Sequence, residues 1–361
     1  MRWQMLLFPS GGYLCSDMIL FYSCIIFLLL YKVRVGNNLN DYMSKENTNS
    51  IKGVFILIVT LCHISPYIER SGYGFEFFGD QLFRQMPVII GQLVVVMFLF
   101  FSGYGVREGI KRKGILYINT MPKRRILVTL LNFDVAILFF LLLNLLLGIK
   151  PSLNKVLLSL VCWEDIGNSN WYIFAIILLY MVTYLFYLYS YNKYPKYNGI
   201  HLLVVISILT IVLSFVRPDW WYNTMFAFGA GVIFSEKKNM FDSLCKDYFC
   251  LLLFGELAIF FLLYYLQFDW RGVKYNVLSV VFAILIVTMM TRVTINNTPL
   301  RWCGEKLFPI YIYQRIPMIF VENIDGGKEF ICTYPVLYII FCLIVTFIIA
   351  YSYKHWSITL N

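Results

Sequence analysis

Long apolar runs constrain this chain more than any other feature. About eleven of them reach, or nearly reach, the length at which a helix crosses a hydrocarbon core of about 30 Å. They fall near residues 13–31, 52–68, 88–106, 126–148, 171–190, 200–216, 220–234, 249–268, 275–291, 307–321 and 332–353. The sequence therefore predicts an all-α, polytopic transmembrane helix bundle of about 10 to 11 spans, folded as a single domain over residues 1–361. Two runs, 220–234 and 307–321, are short and lie next to or contain proline, so their full crossing stays open.

Composition agrees with a membrane protein and disfavours other classes. Of the residues, 60% are hydrophobic and 14% are charged, against about 25% charged in an ordinary soluble domain. A net charge of +10 is expected from cytoplasmic loops, which carry an excess of Lys and Arg. The nine cysteines are scattered and lack the spacing of a metal site. We therefore expect a lipid bilayer as partner, with no nucleic acid and no metal; the oligomeric state is not readable.

The distribution of positive charge predicts the orientation of the chain. Most of the 30 Lys and Arg residues fall on one set of alternate connections, which should be cytoplasmic. The segment 107–125 is the densest, with Arg107, Lys111, Arg112, Lys113, Lys123, Arg124 and Arg125. The N-terminus is then outside and the C-terminus cytoplasmic. The run 13–31 lacks a cleavage pattern, so it is interpreted as an extra N-terminal span rather than a signal peptide, and the polar stretch 37–50 as a cytoplasmic linker.

The stretch Lys52–Pro66 carries the clearest functional signal. In a helix, the eleven steps from Lys52 to His63 make about three turns, which puts both side chains on one face about 16 Å apart. With Lys52 at the cytoplasmic surface, His63 lies about halfway across the membrane, where a titratable group is costly and by default a functional hypothesis. A neutral imidazole there can act as a general base. The alternative is a core histidine that is hydrogen-bonded between helices.

Further polar residues inside the spans are expected to face the bundle rather than lipid. Asp134 and Glu256 are candidates to orient His63, and either can pair with Arg315, which alternatively holds an anionic part of a substrate. Trp171 begins a span at the outer face, where an interfacial aromatic belt is expected, although a sugar also stacks well on such a ring.

Five motifs, taken in order, resemble the acyltransferase 3 family of integral-membrane acyltransferases. They are KGVFILIVTLCHI from Lys52, FLFFSGYG at 98–105, PKRR at 122–125, NWYI at 170–173 and GEKLFPIYIYQRIP at 304–317. The family-like region covers about 50–353. Two positions depart from the family pattern. Lys52 stands where an arginine is usual ten or so residues before the helix histidine, and Gln314 stands where many members have the histidine of Tyr-Leu-x-His.

The resemblance implies an O-acyltransferase of the cell envelope that moves an acetyl group from cytoplasmic acetyl-CoA, a substrate, to a hydroxyl of a cell-surface or lipid-linked carbohydrate. It gives His63 the catalytic role. Residues expected to bind the acyl-CoA donor are Lys52, Ser102, Tyr104, Arg124 and Arg125, with the two arginines at the start of a helix, where amide groups also favour anions. Residues expected to contact the carbohydrate acceptor are Trp171, Gln314 and Arg315.

The same resemblance places the protein in a plasma membrane, as a multi-pass protein of the bacterial inner membrane. An alternative class is a transporter or exporter of a small solute or glycan, in which His63 relays protons and Arg315 binds the substrate. Dependence on acetyl-CoA distinguishes the two classes. The acceptor and the acyl group are not readable from the sequence.

Overall fold

A computed structural model describes residues 17–193, 198–267 and 269–360. Within these residues the only strands are β1 (Val33–Val35) and β2 (Val293–Ile295), which pair antiparallel. The helices of the first half are α1 (Asp17–Leu30), α2 (Lys45–Arg70), α3 (Phe78–Ile90), α4 (Leu93–Lys113), α5 (Ile115–Met121), α6 (Val128–Leu146), α7 (Leu153–Leu160) and α8 (Trp171–Lys193). Those of the second half are α9 (Gly199–Leu213), α10 (Phe226–Tyr265), α11 (Val273–Met290), α12 (Thr298–Glu305), α13 (Leu307–Tyr313), α14 (Arg315–Asn323), α15 (Gly327–Thr333) and α16 (Pro335–Ser352).

The prediction of an all-α, polytopic membrane bundle is confirmed. Seven helical segments among the described residues are long and apolar enough to cross a membrane. They comprise 45–70, 93–113, 115–146, 171–191, 219–265, 273–290 and 335–355. The run 13–31 corresponds to α1 from Asp17 onward, and its residues 13–16 lie outside the described part. The run 200–216 is the shorter apolar helix α9.

The runs 220–234 and 249–268 both fall in α10, which folds back on itself. A straight helix of 40 residues would measure about 60 Å. Instead, Gln92 donates to the carbonyl of Trp220 before the helix, and Tyr264 near its far end donates to the carbonyl of Ile89. Both ends of α10 therefore meet the same corner between α3 and α4. The bend is at Tyr248, whose φ of −130° and ψ of 29° interrupt the helix, so α10 consists of two antiparallel arms.

The basic segment 107–125, predicted as a connection between spans, is mostly helical. Helix α4 continues through Lys113 and ends at Gly114, whose φ of +56° suits glycine. A new helix then runs from α5 through one π-helical stretch, Pro122–Leu127, into α6. Arg124 and Arg125 lie in that π-helical stretch. The expectation that they start a helix and share its free amide groups is therefore wrong, because the helix already began at Ile115.

Helix α2 begins seven residues earlier than the apolar pattern alone indicates. Ser44 caps it by accepting a hydrogen bond from the Asn47 amide. The segment before it is anchored rather than a free linker: Tyr42 is 1% exposed and its hydroxyl donates to Asp242, 2.5 Å away, beside the bend of α10. Because α2 is continuous through Arg70, Lys52 and His63 lie on one face with the expected axial separation of about 16 Å.

The run 307–321 is broken into α13 and α14 at Gln314. Upstream, the short helix α12 lies directly against α2. A Cβ atom on Gly304 would come 1.8 Å from the carbonyl oxygen of Asn49, and one on Gly53 would come 1.8 Å from that of Leu300. Only glycine permits this backbone approach. The Gly304 of the GEKLFP motif thus fixes α12, and with it α13, beside α2.

Candidate active site

His63 projects from α2 toward the broken segment between α13 and α14. Its ring centroid lies 6.3 Å from that of Tyr311, and the Gln314 and Arg315 side chains lie close enough to act on the imidazole. Tyr311 and Gln314 are almost completely buried. His63 is half-buried, but its Nδ1 atom is buried with no hydrogen-bond partner. The imidazole therefore keeps one nitrogen unengaged inside the bundle, unlike a core histidine with satisfied hydrogen bonds.

The connection between α7 and α8 folds inward against this region. Asn168, Ser169 and Asn170 are buried, and Asn170 donates to the Cys162 carbonyl. Arg315 donates from Nη1 to the Asn168 carbonyl over 3.4 Å. The loop therefore lines the Arg315 side of the site with polar groups, of which the Asn168 amide and the Ser169 hydroxyl have no partner.

The same connection contains a buried thiol, that of Cys162. Burial, and secondarily the nearby carboxylate of Asp134, raises the pKa of Cys162 well above its ordinary value. Since the thiolate is the reactive form of cysteine, a thiol held protonated near neutral pH is inert. Cys162 is therefore not a candidate nucleophile.

At the other end of the same face of α2, Lys52 and Arg125 form a pair of positive charges. The Lys52 ammonium lies 5.5 Å from the Phe101 ring centroid and 3.4 Å from the Asn49 amide oxygen. Arg125 is near enough for its charge to act on Lys52, and its guanidinium lies 5.9 Å from the ring of Tyr180. Neither cation has a carboxylate partner among the described residues. Two like charges without a carboxylate counterion favour the approach of an anion.

Helix α8 connects these two ends. Tyr172 packs on Tyr311, with ring centroids 5.1 Å apart, while Tyr180, eight residues further along the helix, contacts Arg125. Eight residues of α-helix rise about 12 Å and turn about 80° beyond two full turns, so the two rings lie on the same broad side of α8. Helix α2 thus extends from the cation pair to the imidazole, and α8 extends from the cation pair to the ring of Tyr311 beside the imidazole. We call these two regions the Lys52 end and the His63 end.

Helix α4 lies between them. Phe98 contacts Tyr172 at 6.0 Å between ring centroids, and Phe101 contacts Lys52. Ser102 and Gly105 continue this face of the helix at steps of three and four residues. A Cβ atom on Gly105 would meet nothing within 4 Å. The surface of α4 near the Lys52 end is thus open beside the cations, while Ile56, Val59 and Thr60 fill the α2 face between Lys52 and His63.

The structure separates the remaining predicted residues into two groups. Ser102 lies on the α4 face just described, and Trp171 contacts Tyr172 at 6.3 Å between ring centroids. Tyr104 instead packs on Phe234 of α10, 5.9 Å away. Arg124 is exposed, as is Arg125, but among the described residues Arg124 has no contact with Lys52, Tyr180 or His63. Tyr104 and Arg124 are therefore not brought together with Lys52 and His63.

The suggested carboxylate partners are not bonded to His63 or Arg315. Glu256 accepts a hydrogen bond from Thr288 of α11, and a carboxyl oxygen of Asp134 is buried without a hydrogen-bond partner. Among the described residues, neither forms an ion pair with Arg315 or a hydrogen bond with His63. The predictions of a structural bridge to Arg315 and of a carboxylate that orients the imidazole are wrong.

Sequence reasoning missed several residues of the site. Tyr172 and Tyr311 lie within two of the motifs but were given no role, and Tyr180 was indistinguishable from the other aromatic residues of the spans. Their contacts with each other and with Arg125 single them out. Asn168 carried a usable signal: three consecutive small polar residues, Asn168 to Asn170, precede an apolar helix in a chain with few charged groups.

The fold is that of a multi-pass membrane protein, and a cluster of polar side chains lies inside its helix bundle. A family model described as an acyltransferase domain matches residues 46–355 of the 361. The chain belongs to the acyltransferase 3 family, which supports membrane acyltransferase activity. Searches of curated proteins and of solved structures found no significant match.

Proposed function

We propose that this protein transfers an acetyl group from cytoplasmic acetyl-CoA to a hydroxyl of a cell-surface or lipid-linked carbohydrate, with His63 as general base. The observation that carries the proposal is the arrangement along α2 and α8. Two cations without a carboxylate partner, Lys52 and Arg125, lie at one end. A histidine whose Nδ1 atom has no hydrogen-bond partner lies at the other. An acyl-CoA has the matching polarity, since its phosphates are at one end of a long arm and its thioester is at the other.

At the His63 end the chemistry is an acyl transfer without a covalent enzyme intermediate. The imidazole removes the proton of the acceptor hydroxyl as its oxygen attacks the thioester carbonyl. The carbon–sulfur bond then breaks, and the departing thiolate takes the proton back from His63. Ester, free coenzyme thiol and neutral imidazole result, so His63 is ready for another cycle.

At the Lys52 end the two cations hold the phosphates of the donor. Arg125 supplies a planar fork that matches phosphate oxygens, and Lys52 supplies a compact charge. Gly105, with open space beside it, leaves room on α4 for the phosphate-bearing end of the donor. The positive-inside distribution of Lys and Arg supports a cytoplasmic position for this end, where acetyl-CoA is available.

The acceptor approaches from the His63 end. Trp171 and the inward-folded loop at Asn168 border this end, and an aromatic ring beside polar groups suits a sugar. Gln314, with its carbonyl oxygen buried and unpartnered, is a candidate to accept a hydrogen bond from a second hydroxyl of the acceptor.

Chemical analysis of surface glycans with and without the protein tests this proposal. Cells that make the full chain should carry an alkali-labile acetyl ester that is missing from cells without it. The analysis also identifies the acceptor and the acyl group. Identical glycans from both strains, together with solute accumulation by vesicles that contain the protein, would instead favour the transporter alternative.

A further inference from the structure

Arg315 is a buried cation that structural pairing does not explain. Its Nε atom is buried without a partner, and its one hydrogen bond, from Nη1 to the Asn168 carbonyl, is long at 3.4 Å. By contrast, Arg107 lies 2.8 Å from a carboxyl oxygen of Glu236, whereas Arg315 forms no ion pair among the described residues. An uncompensated charge inside a membrane bundle is costly, and such residues mark functional positions.

The positive charge of Arg315 also opposes protonation of His63 unless an anion forms beside both groups. Arg315 follows Gln314 directly in the chain, and its charge acts on the imidazole. A general base becomes positive when it takes a proton, so a second positive charge nearby opposes that step. A negative charge that develops at the same moment, beside both groups, removes the conflict.

Acyl transfer generates such a charge. When the acceptor oxygen attacks the thioester, the carbonyl oxygen becomes an oxyanion in the tetrahedral intermediate. We propose that Arg315 is a catalytic residue that donates hydrogen bonds from its guanidinium to this oxyanion. This role rests on the acyl-transfer function proposed above. The unpartnered Nε supplies one donor, and the bond to Asn168 orients the planar group.

Positive and negative charges form and disappear together in each step. As the hydroxyl proton moves to His63, negative charge accumulates on the carbonyl oxygen beside Arg315. As the oxyanion collapses, the carbon–sulfur bond breaks and the sulfur takes the proton from His63. The site then returns to one positive charge, that of Arg315, with no additional reactant.

The alternative partner for Arg315 is an anionic group on the acceptor. An acceptor without charge distinguishes this alternative from the oxyanion, because only the oxyanion then remains for Arg315 to bind. We would measure release of free coenzyme thiol from acetyl-CoA by the detergent-solubilised full chain, with water alone and with methyl glucoside. Arg315→Gln should lower the turnover at saturating donor about 100- to 1,000-fold with both acceptors. Arg315→Lys should retain part of the rate, because a lysine keeps the charge without the fork.

Several results would overturn the role of Arg315. One is unchanged turnover of the neutral acceptors in Arg315→Gln; another is a defect confined to the KM for methyl glucoside. Thermal stabilisation by acetyl-CoA reports whether each variant is folded, and Arg84→Gln, which removes an exposed partner of Glu69, is the matched control. If His63→Ala abolishes thiol release while Arg315→Gln does not, only this inference fails. If His63→Ala leaves it intact, the proposed function fails.

Discussion

Replacing His63 with alanine is expected to lower acyl transfer by about 100- to 10,000-fold, the range that a positioned general base contributes. The physical reason is that no other titratable side chain of the described residues occupies the same position: the neighbouring groups are Tyr311, Gln314 and Arg315, and none is a base near neutral pH. The rate of coenzyme thiol release at saturating acetyl-CoA measures the effect.

The substitution should leave donor binding nearly unchanged, because the phosphate site is about 16 Å away along α2. Thermal stabilisation by acetyl-CoA should therefore persist in His63→Ala. His355→Ala is the matched control, since His355 is one of the three histidines and is exposed at the end of the chain. Wild-type turnover in His63→Ala would remove the general base from the account.

The second large effect is expected from the cation pair. Lys52→Ala and Arg125→Ala should each raise the KM for acetyl-CoA about 10- to 100-fold, since a hydrogen bond to a charged group contributes roughly 1.5–3 kcal/mol. The donor lacking phosphates, S-acetyl pantetheine, should be used equally well by the wild type and by both variants. The ratio of kcat/KM values for the two donors is therefore the informative measurement.

This ratio separates donor binding from general damage to the fold, which would lower the use of both donors together. Lys113→Ala is the matched control, because Lys113 is an exposed cation of the same basic segment. Arg125→Lys should fall between the wild type and Arg125→Ala, as the charge remains and the planar fork is lost. An unchanged preference for acetyl-CoA in both alanine variants would contradict a phosphate site here.

The sequence predicted those parts of the site that lie on one regular helix. Lys52 and His63 share a face because α2 is unbroken between them, so helical periodicity alone fixed their relation. The same reasoning located both arms of α10 as separate apolar runs, although the bend at Tyr248 had no proline or glycine to mark it.

Contacts between helices lay beyond that reasoning. Nothing in the local pattern of α8 indicates that Tyr180 meets Arg125 while Tyr172 meets Tyr311, because each contact depends on the packing of distant segments. Arg124 and Arg125 looked equivalent as neighbours in a basic motif, yet a π-helical stretch turns only Arg125 toward the ring of Tyr180. The density of positive charge therefore indicated the basic segment but did not distinguish Arg125 from Arg124.

The measurement that bears most directly on the proposed transfer is the fate of a labelled acetyl group in sealed vesicles that contain the full chain. Acetyl-CoA labelled in the acetyl group is enclosed on the side of the Lys52 end, and purified surface glycan is supplied on the other side. We predict that label appears as an ester on the external glycan while the coenzyme stays enclosed, and that vesicles with the His63→Ala protein give none. Release of intact acetyl-CoA or free acetate to the outside, with an unlabelled glycan, would contradict the account.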